Sequence, residues 1–437
     1  MSEGILAKKT RKIIAIAEKI RAPEWLLGEL LTPKRVIIMK VRARIGGKPT
    51  FLSAIRVHHL NPYPTGANPY KGGIRFHPGV TQELLTVLAM DMTEKCALAG
   101  LPFGGAKGGI AFDPAQATEL ELRRITEGMT FEMLKENIPH PDIDVPGPDV
   151  GTDSRVMFWM LNKSAESVYW RAVPNHLATV TGKPLQNGGI PGREEATARG
   201  ALIQLGRYFE LSKMRAADDA PTLAIQGFGN VGRNVVRLVH EETDFRQYKI
   251  VAVSDVRSGI YNKTGLNLPS ITRWYEDRGS FLGCPDCDPI SNEVLLTLPV
   301  DVLIPAAIEE QITPTNASYL QGRLILEGAN EAITQDAFPI LAHRGIPVIP
   351  GVAANSGGVT VSYFEWLKNR GDRPHEVDAE RDKLWVTKEL GAIMRGVIEK
   401  VYARSEALSS SMPDAASIIA METIQSQLKK KHSYPNA

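Results

Sequence analysis

The stretch that most constrains the fold is a predicted strand, a glycine-rich turn and a helix between residues 222 and 242. The strand at 222–226 is apolar, the turn follows the pattern Gly-x-Gly-x-x-Gly, and the predicted helix spans 231–242. In this arrangement the glycines make a tight turn, let a ligand approach the backbone and let the helix pack closely on the strand. Free N–H groups at the start of the helix favour an anion such as a pyrophosphate. The pattern predicts a Rossmann-type unit whose dinucleotide contacts are Gly227, Phe228, Gly229, Asn230, Val231 and Gly232.

A carboxylate, Asp255, stands at the end of the next predicted strand, 250–254. Rossmann-type units use an acidic residue at this place to hydrogen-bond the adenosine ribose. Such a carboxylate repels a 2′-phosphate and therefore favours NAD as the cofactor. Arg257, two residues later, could instead pair with the 2′-phosphate. The placement of Asp255 favours NAD, and NADP is the alternative.

The length of the chain and the order of its predicted elements indicate two domains. A chain of 437 residues is long for a single hydrophobic core. After about residue 190, predicted strands alternate with helices, which is typical of a parallel sheet with crossover helices. We therefore expect an α/β fold with an N-terminal α/β substrate domain, a Rossmann-type dinucleotide-binding domain, and C-terminal helices that return to the first domain. The predicted boundaries are 1–190, 191–355 and 356–437.

The N-terminal domain combines segments of helical periodicity with segments rich in β-forming residues. A hairpin is predicted over 36–60, turning at two adjacent glycines, and helices are predicted over 1–35, 81–98, 118–137 and 151–169. Three stretches rich in glycine, proline, asparagine or aspartate are predicted to be loops, namely 61–80, 100–109 and 139–150.

Composition argues against several classes of partner. The 51 basic and 49 acidic residues give a net charge of +2, which is too small to indicate binding to nucleic acid or to a membrane surface. No apolar run approaches the roughly 18 residues of a membrane span. Three cysteines suit a reducing compartment, so we expect a cytoplasmic protein. Cys284 and Cys287 form a C-x-x-C pair, but no second pair of ligands accompanies them, so no metal is predicted.

Three lysines, Lys71, Lys95 and Lys107, fall within 37 positions. Lys95 continues the apolar stripe of the helix predicted over 81–98, and a lysine that points into a core is costly unless an anion pairs with it. It could instead extend its ammonium group to the surface. Glycines flank Lys107 and allow a ligand to approach closely, and nearby cations would disfavour its ammonium form and leave a neutral amine as a general base. The alternative for Lys107 is an exposed lysine in an ordinary glycine-rich turn.

Asp149 lies between two prolines and a glycine, in Pro146-Gly-Pro-Asp149-Val-Gly151. The stiff backbone could hold its carboxylate in place to carry protons. Aspartate is also a frequent turn residue, so a purely structural role remains open at this point.

Several of these stretches, taken together, resemble the glutamate/leucine/phenylalanine/valine dehydrogenase family, and its glutamate-specific members most closely. The matching segments occur in order along most of the chain: Asn68-Pro-Tyr-Lys71-Gly-Gly-Ile-Arg-Phe-His77, Leu101-Pro-Phe-Gly-Gly-Ala-Lys107-Gly-Gly109, Pro148-Asp149-Val-Gly-Thr152, Thr181-Gly-Lys-Pro184, Gly192-Arg-Glu-Glu-Ala-Thr197, Gly227 to Gly232, Glu327-Gly-Ala-Asn330 and Asn355-Ser-Gly-Gly-Val359-Thr-Val-Ser362-Tyr-Phe-Glu365.

The resemblance implies a role for each of these residues. Lys107 would be the catalytic lysine and Asp149 its proton-transfer partner, while Lys95 would bind the substrate α-carboxylate. Lys71 and Ser362 would bind the γ-carboxylate, with Met92 and Val359 in the same pocket. On the cofactor side, Thr197 would contact the nicotinamide amide and Asn230 the diphosphate, with Asn330 and Asn355 nearby.

The activity implied is oxidative deamination of L-glutamate to 2-oxoglutarate and ammonia, with hydride transfer to NAD(P), and the reverse reaction, in a homohexamer. Lys71 and Ser362 are polar where leucine- and phenylalanine-type members are typically apolar, which favours glutamate. A leucine/phenylalanine/valine-type enzyme and a catalytically silent regulatory homologue are the alternatives. Departures from the family pattern keep the second of these open: Glu331-Ala332, Ile190, Gly351 and a longer loop at 60–70.

Overall fold

The computed structural model describes residues 4–63, 68–166, 174–373 and 378–431. The chain divides into two compact units. The first unit comprises residues 1–193, 359–387 and 417–437, and the second comprises residues 194–358 and 388–416. Part of the loop that is longer than expected, residues 64–67, lies outside the described residues.

A five-stranded sheet in the order β1-β2-β4-β3-β5 forms the centre of the first unit. Its strands are β1 (Arg35–Ile45), β2 (Lys48–His58), β3 (Tyr70–Phe76), β4 (Gly104–Ile110) and β5 (Asp144–Pro148). The helices of this part of the chain are α1 (Ile5–Lys19), α2 (Glu24–Leu31), α3 (Gln82–Ala99), α4 (Glu119–Leu134) and α5 (Ser154–Glu166). The hairpin of β1 and β2 is confirmed, with Gly46 and Gly47 at positive φ in its turn. The helices predicted for this region are confirmed within the described residues.

The three predicted loops were wrong in an informative way, because each contains a strand of this sheet. β4 pairs with β3 in parallel and with β2 antiparallel, and β5 pairs with β3 in parallel. Glycine is present because neighbouring groups come too close for a side chain. A Cβ on Gly105 would lie 2.4 Å from the carbonyl oxygen of Ala89 on α3, and one on Gly109 would lie 2.4 Å from that of Arg75. Strands with so few side chains carry no alternating apolar pattern, which is the usual sequence signal.

Helices cover both faces of this sheet. On one face, alternate residues of β1 pack against α4, as Met39 and Val41 do with Met129. On the other face, Val57 of β2 packs with residues of α3. The ends of α3 are set by the Thr81 side chain, which accepts a hydrogen bond from the Leu84 N–H, and by Gly100 at φ 69°. The close packing of α3 on β4 brings together two elements that both carry candidate site residues.

The second unit contains a seven-stranded sheet in the order β12-β11-β10-β6-β7-β8-β9. Its strands are β6 (Thr222–Gln226), β7 (Lys249–Ser254), β8 (Gly259–Tyr261), β9 (Asp288–Ile290), β10 (Val302–Pro305), β11 (Leu324–Leu326) and β12 (Val348–Ile349). The helices are α6 (Ala196–Ser212), α7 (Asn230–Glu241), α8 (Leu268–Arg278), α9 (Asn292–Leu296), α10 (Pro314–Ala317), α11 (Phe338–His343) and α12 (Gly351–Ala354). Five strands are parallel, as predicted, whereas β8 and β9 add an antiparallel edge.

The C-terminal segment consists of α13 (Gly357–Arg370), α14 (Ala379–Leu408) and α15 (Met412–Lys431). The prediction that 356–437 packs as a whole on the first domain differs from the structure, since 388–416 belongs to the second unit. Within that unit Gln204 of α6 donates to the sulfur of Met394, and Arg207 of α6 forms an ion pair with Glu399. A helical pattern shows which face is apolar but not which element covers that face.

Among the described residues, none of the helices combines the length and the apolar character that crossing a membrane requires.

Candidate active site

The first unit brings the three predicted lysines into one region. Lys71 lies on β3, Lys107 on β4 and Lys95 on α3, and their relative exposures are only 3%, 4% and 7%. Lys71 lies opposite Gly105 in the β3–β4 register, and Gly105 allows α3 to pack directly on the sheet. Two alternatives left open by the sequence are therefore wrong: Lys95 does not extend to the surface, and Lys107 is not exposed in a turn.

Asp149 is held between two cations. The Lys107 Nζ donates a hydrogen bond to its Oδ1 at 2.6 Å, and the Arg75 Nε donates to its Oδ2 at 2.7 Å. Burial alone would raise the pKa of this carboxyl group, but the charges of Lys107 and Arg75 outweigh it and lower the pKa to about 2. Asp149 is thus a carboxylate at neutral pH, in direct contact with the predicted catalytic lysine.

Burial strongly perturbs the other two lysines. It lowers the pKa of Lys71 to about 7, and the nearby charges of Arg193 and Arg56 act in the same direction. It lowers the pKa of Lys95 to about 8, with Lys107 contributing. Such shifts indicate ammonium groups held out of water, where an anion would bind them strongly.

The thiol of Cys96 links the two lysines in space. Burial raises its pKa to about 12, and the charges of Lys71 and Lys95 both act against that rise. Cys96 therefore lies near both lysines. It packs in one apolar cluster with Val359 and the partly buried Met92, the two apolar residues predicted for the substrate pocket.

Helix α13 adds the last predicted substrate residue. Ser362 is 2% exposed, and its Oγ accepts a hydrogen bond from the Arg193 Nε at 3.0 Å. Because the charge of Arg193 also acts on Lys71, this end of the site holds two cations and a hydroxyl. The structure therefore divides the site into a Lys95, Lys107 and Asp149 end and a Lys71, Arg193 and Ser362 end.

Sequence reasoning gave no role to several residues that the structure places here. Arg75 and Arg193 contact predicted site residues, as described above. Glu365, one turn after Ser362 on α13, is fully buried and accepts hydrogen bonds from the Lys183 Nζ at 2.6 Å and the Gly182 N–H at 2.9 Å. All of these residues lie inside the segments that resemble the family, which was the only signal that could have found them.

A buried ion-pair network supports the five-stranded sheet from the face opposite to that of Lys107. Arg56 on β2 donates to Asp144 on β5 through Nε at 2.8 Å and through Nη2. Its Nη1 also donates to the carbonyl oxygens of Gly72 and Gly73, at 3.2 and 3.3 Å. The His58 Nε2 lies 2.8 Å from Asp144. This network ties β2 to β3 and β5, so it fixes the backbone next to Lys71.

In the second unit, the glycine-rich segment has the geometry that its pattern predicts. Gly227 has φ +97°, and a Cβ there would lie 2.7 Å from the Cα of Ala307. A Cβ on Gly232 would lie 2.0 Å from the carbonyl oxygen of Gly227, whereas around Gly229 nothing lies within 4 Å. Helix α7 starts at Asn230, with Gly229 at its N-cap and no side-chain cap there. The open space and the free N–H groups at this helix end fit a pyrophosphate.

Asp255 accepts hydrogen bonds from the backbone that follows β7. Its Oδ1 accepts hydrogen bonds from the N–H groups of Arg257 at 2.6 Å and Ser258 at 2.8 Å, and its Oδ2 accepts one from Phe281 at 2.7 Å. Asp255 is only 5% exposed. The carboxylate therefore organises the turn after β7 with both of its oxygens.

The remaining predicted cofactor residues also lie in the second unit. Thr197 is in the first turn of α6, and Phe228 packs against Tyr275 and Phe281. The Asn355 Nδ2 donates to the Asn330 Oδ1 at 3.1 Å, so these two distant segments meet. Val231 is in the first turn of α7.

Three departures from the family pattern also have defined positions. Glu331 adopts φ +47°, a conformation that favours glycine. Gly351 donates its N–H to Glu327 Oε2 at 2.7 Å, and Ile190 is buried. Within the described ranges, no group of three or more His, Cys, Asp or Glu side chains could hold a metal ion.

Comparison with known proteins identifies the family. Residues 188–431 match the model of Glutamate/Leucine/Phenylalanine/Valine dehydrogenase, and residues 33–166 match that of the Glu/Leu/Phe/Val dehydrogenase dimerisation domain. The chain belongs to this family. The resemblance seen in the sequence is thereby confirmed, as is the expected α/β fold with two domains.

Relatives within the family carry both cofactor names. The chain is 43% identical over 318 residues to an NADP-specific glutamate dehydrogenase from Synechocystis, covering 70% of this chain and 71% of that one. It is 36% identical over 434 residues to an NAD-specific glutamate dehydrogenase A from Halobacterium salinarum, covering 99% and 94%. A crystal structure of hetero-hexameric glutamate dehydrogenase from Thermus thermophilus, in a Leu-bound form, matches with a TM-score of 0.87 at 28% identity, covering 99% of both chains.

Proposed function

We propose that this member of the family catalyses the reversible oxidative deamination of L-glutamate to 2-oxoglutarate and ammonia, with NAD or NADP as hydride acceptor. The observation that carries the proposal is the set of buried and partly buried cations at both ends of one site in the first unit. The buried Lys95 and Lys107 stand at one end, and the buried Lys71 and partly buried Arg193 at the other. A dicarboxylate supplies a negative charge to each end, so burial of these cations becomes favourable when it binds.

The two ends correspond to the two carboxylates. In our proposal, Lys95 binds the α-carboxylate, and Lys71 binds the γ-carboxylate together with Ser362 and Arg193. Met92 and Val359 supply the apolar wall between them. An apolar side chain such as that of leucine would leave two cations at the γ end without an anion, which is heavily penalised in a buried site. The leucine-type alternative is therefore disfavoured.

Lys107 and Asp149 form the proposed proton-transfer pair. When the cofactor is bound, its nicotinamide takes up the hydride that leaves Cα. In the hydrolysis of the resulting substrate imine, Lys107 first passes its ammonium proton to Asp149, and the amine then takes a proton from water as the oxygen–carbon bond forms. Asp149 gives the proton it received to nitrogen, the carbon–nitrogen bond breaks, and the hydroxyl proton leaves with the ammonia as ammonium while the ketone forms. The contact of 2.6 Å between the two side chains places them within range for such a relay.

The second unit supplies the proposed cofactor site. The backbone of 227–232 holds the pyrophosphate on the start of α7, with Asn230 beside it, and Thr197, Asn330 and Asn355 serve the nicotinamide side. Asp255 is proposed to contact the adenosine ribose and to favour NAD. Two observations support acceptance of NADP as well: both oxygens of Asp255 already accept backbone N–H groups, and Arg257 is exposed next to it.

We also propose a cytoplasmic homohexamer. Its support is the dimerisation domain in the matched family model and the hexameric assembly named for the Thermus structure, together with three free cysteines that suit a reducing compartment. Light scattering of the purified chain should give six times the mass of the monomer. A smaller mass would instead favour assembly with a second type of chain.

The deciding experiment is a substrate panel with the purified protein. Glutamate, leucine, valine and phenylalanine are assayed with NAD and with NADP, following nicotinamide absorbance. We expect kcat/KM for glutamate to exceed that for each apolar amino acid by roughly 10³, because the γ-end cations would be left unpaired. Faster turnover of an apolar amino acid would refute the substrate assignment. A folded hexamer without activity on any of them would identify a regulatory homologue.

A further inference from the structure

One lysine of the N-terminal helix is buried against the helix that carries Lys95. Lys9 on α1 is 4% exposed, and its Nζ lies 2.6 Å from Oδ1 of Asp91 and 3.0 Å from Oε2 of Glu94, both on α3. Removing charges from water is costly, and a buried pair is often no more stable than well-packed apolar residues. Stability alone is therefore a weak reason for this arrangement.

Asp91 connects this ion pair to the proposed substrate site. It precedes Lys95 by four residues on α3, and residues at that spacing lie on the same face one turn apart. Asp91 is 5% exposed and Lys95 is 7% exposed, so solvent screens their interaction little. Burial lowers the pKa of Lys95, and the negative charge of Asp91 makes the largest contribution in the opposite direction. One buried carboxylate thus serves a cation on each of two helices.

Further groups from neighbouring elements also act on the charge of Lys95. Lys107 on β4 lowers its pKa, while Cys96 on α3 and Asp149 after β5 raise it. Asp149 is itself held by Lys107 and Arg75. Of these two carboxylates, Asp91 is the one that pairs with the N-terminal helix, so its electrostatic effect on Lys95 depends on Lys9.

We propose that Lys9 is a positioning residue for substrate binding: by holding Asp91, it keeps the Lys95 ammonium group available to the substrate α-carboxylate. This inference rests on the proposed function of Lys95. Without Lys9, the whole charge of Asp91 acts on Lys95 and competes with the substrate. The packing of α1 on α3 then sets how tightly an amino acid binds.

Glu94 provides the contrast that makes the proposal testable. Its Oε1 accepts a hydrogen bond from the Ser417 Oγ at 2.5 Å, and its Oε2 lies 3.0 Å from Lys9. Burial alone would raise the pKa of Glu94, but Lys9 and Lys12 outweigh it and lower the pKa to about 2. Glu94 joins α1, α3 and α15, whereas the carboxylates that act most strongly on Lys95 are Asp91 and Asp149. A role of Lys9 through Glu94 would be structural only.

The test is a double-mutant cycle on the full-length enzyme with glutamate and its preferred cofactor. Lys9→Met should raise KM for glutamate roughly tenfold with kcat nearly unchanged, a coupling within the range for contacting residues. It should also move the upper break in the alkaline limb of kcat/KM, the one set by Lys95, to higher pH, because Asp91 then stabilises the Lys95 ammonium more strongly. Asp91→Asn should move that break to lower pH. Combined with Asp91→Asn, the Lys9 substitution should have no further effect on KM.

Two controls separate this mechanism from a general loss of packing. Lys9→Arg keeps the charge and should remain within about twofold of wild type. Lys12→Met, on the same helix, removes a charge that acts on Glu94 but is not part of the Asp91 pair, and should leave KM unchanged.

A KM effect of Lys9→Met that persists unchanged with Asp91→Asn overturns the proposal, and so does an unchanged KM. If Lys9→Met does not fold, the pH profile of Asp91→Asn decides, and an unmoved upper break overturns the proposal. Failure of the wild type to deaminate glutamate would refute the proposed function itself, which is a separate outcome.

Discussion

Replacement of Lys107 by alanine tests the proposed proton-transfer pair most directly. In the structure, the Lys107 Nζ donates to Asp149 at 2.6 Å, and Arg75 donates to the other oxygen at 2.7 Å. Leaving a buried charge with no partner costs about 3–5 kcal/mol. Asp149 keeps Arg75 in the variant, so we expect a smaller loss of stability and an intact fold.

The catalytic loss should be much larger than the structural one. Lys107 lowers the pKa of Asp149, so its removal raises that pKa, while the charge of Arg75 continues to oppose the effect of burial. Arg75 still holds the carboxylate in place, and what is lost is the amine. A positioned general base contributes about 10²- to 10⁴-fold to the rate. This range corresponds to about 3 to 5 kcal/mol of activation free energy.

The assay measures kcat and KM for glutamate, together with denaturant unfolding, for wild type and Lys107→Ala. Lys135→Ala is a matched control, because that lysine is exposed on the surface. Within the described residues, its one ion pair is with Glu132, three positions earlier on the chain. The control should behave like wild type in both measurements. Retention of more than about a tenth of the rate by a folded Lys107→Ala protein would refute the role assigned to Lys107.

Three further predictions concern the rest of the site. Asp144→Asn removes the anion between Arg56 and His58 and should lower the free energy of unfolding by about 3–5 kcal/mol, measured with denaturant; a loss under about 1 kcal/mol would contradict the bracing role. Lys71→Leu should shift the kcat/KM ratio of glutamate to leucine by at least about 10², and an unchanged ratio would show that Lys71 does not select the γ-carboxylate. The ammonium forms of Lys71 and Lys95 disappear as pH rises through pKa values of about 7 and 8, so kcat/KM for glutamate should fall on the alkaline side, and a flat profile to pH 10 would contradict this.

Local patterns in the sequence were enough for the parts of the fold that depend on near neighbours. The glycine-rich turn at 227–232 was predicted with its strand and helix because the spacing of its glycines after an apolar strand is a local pattern. Gly232 packs on the nearby Gly227 carbonyl and Gly229 leaves room for a ligand, whereas the contact of Gly227 with Ala307 is formed only by the tertiary fold. The β1–β2 hairpin and α3 were predicted for the same reason, through a two-glycine turn and a capped apolar stripe. Strands β3 and β4 were not predicted, because glycine is required in them by atoms that are distant in sequence and come close only in the tertiary fold.

The candidate site divides in the same way. Lys71, Lys95, Lys107 and Asp149 stood out in the sequence, because a lysine on an apolar face or among glycines and an aspartate in a stiff loop are unusual. Their partners did not stand out, since Arg75 reaches Asp149 from 74 positions away and Arg193 reaches Ser362 from 169. A charge on its own looks like ordinary surface in a sequence. Only the fold determines which charges are removed from water and which of them meet, and this sets the protonation and the binding strength of each.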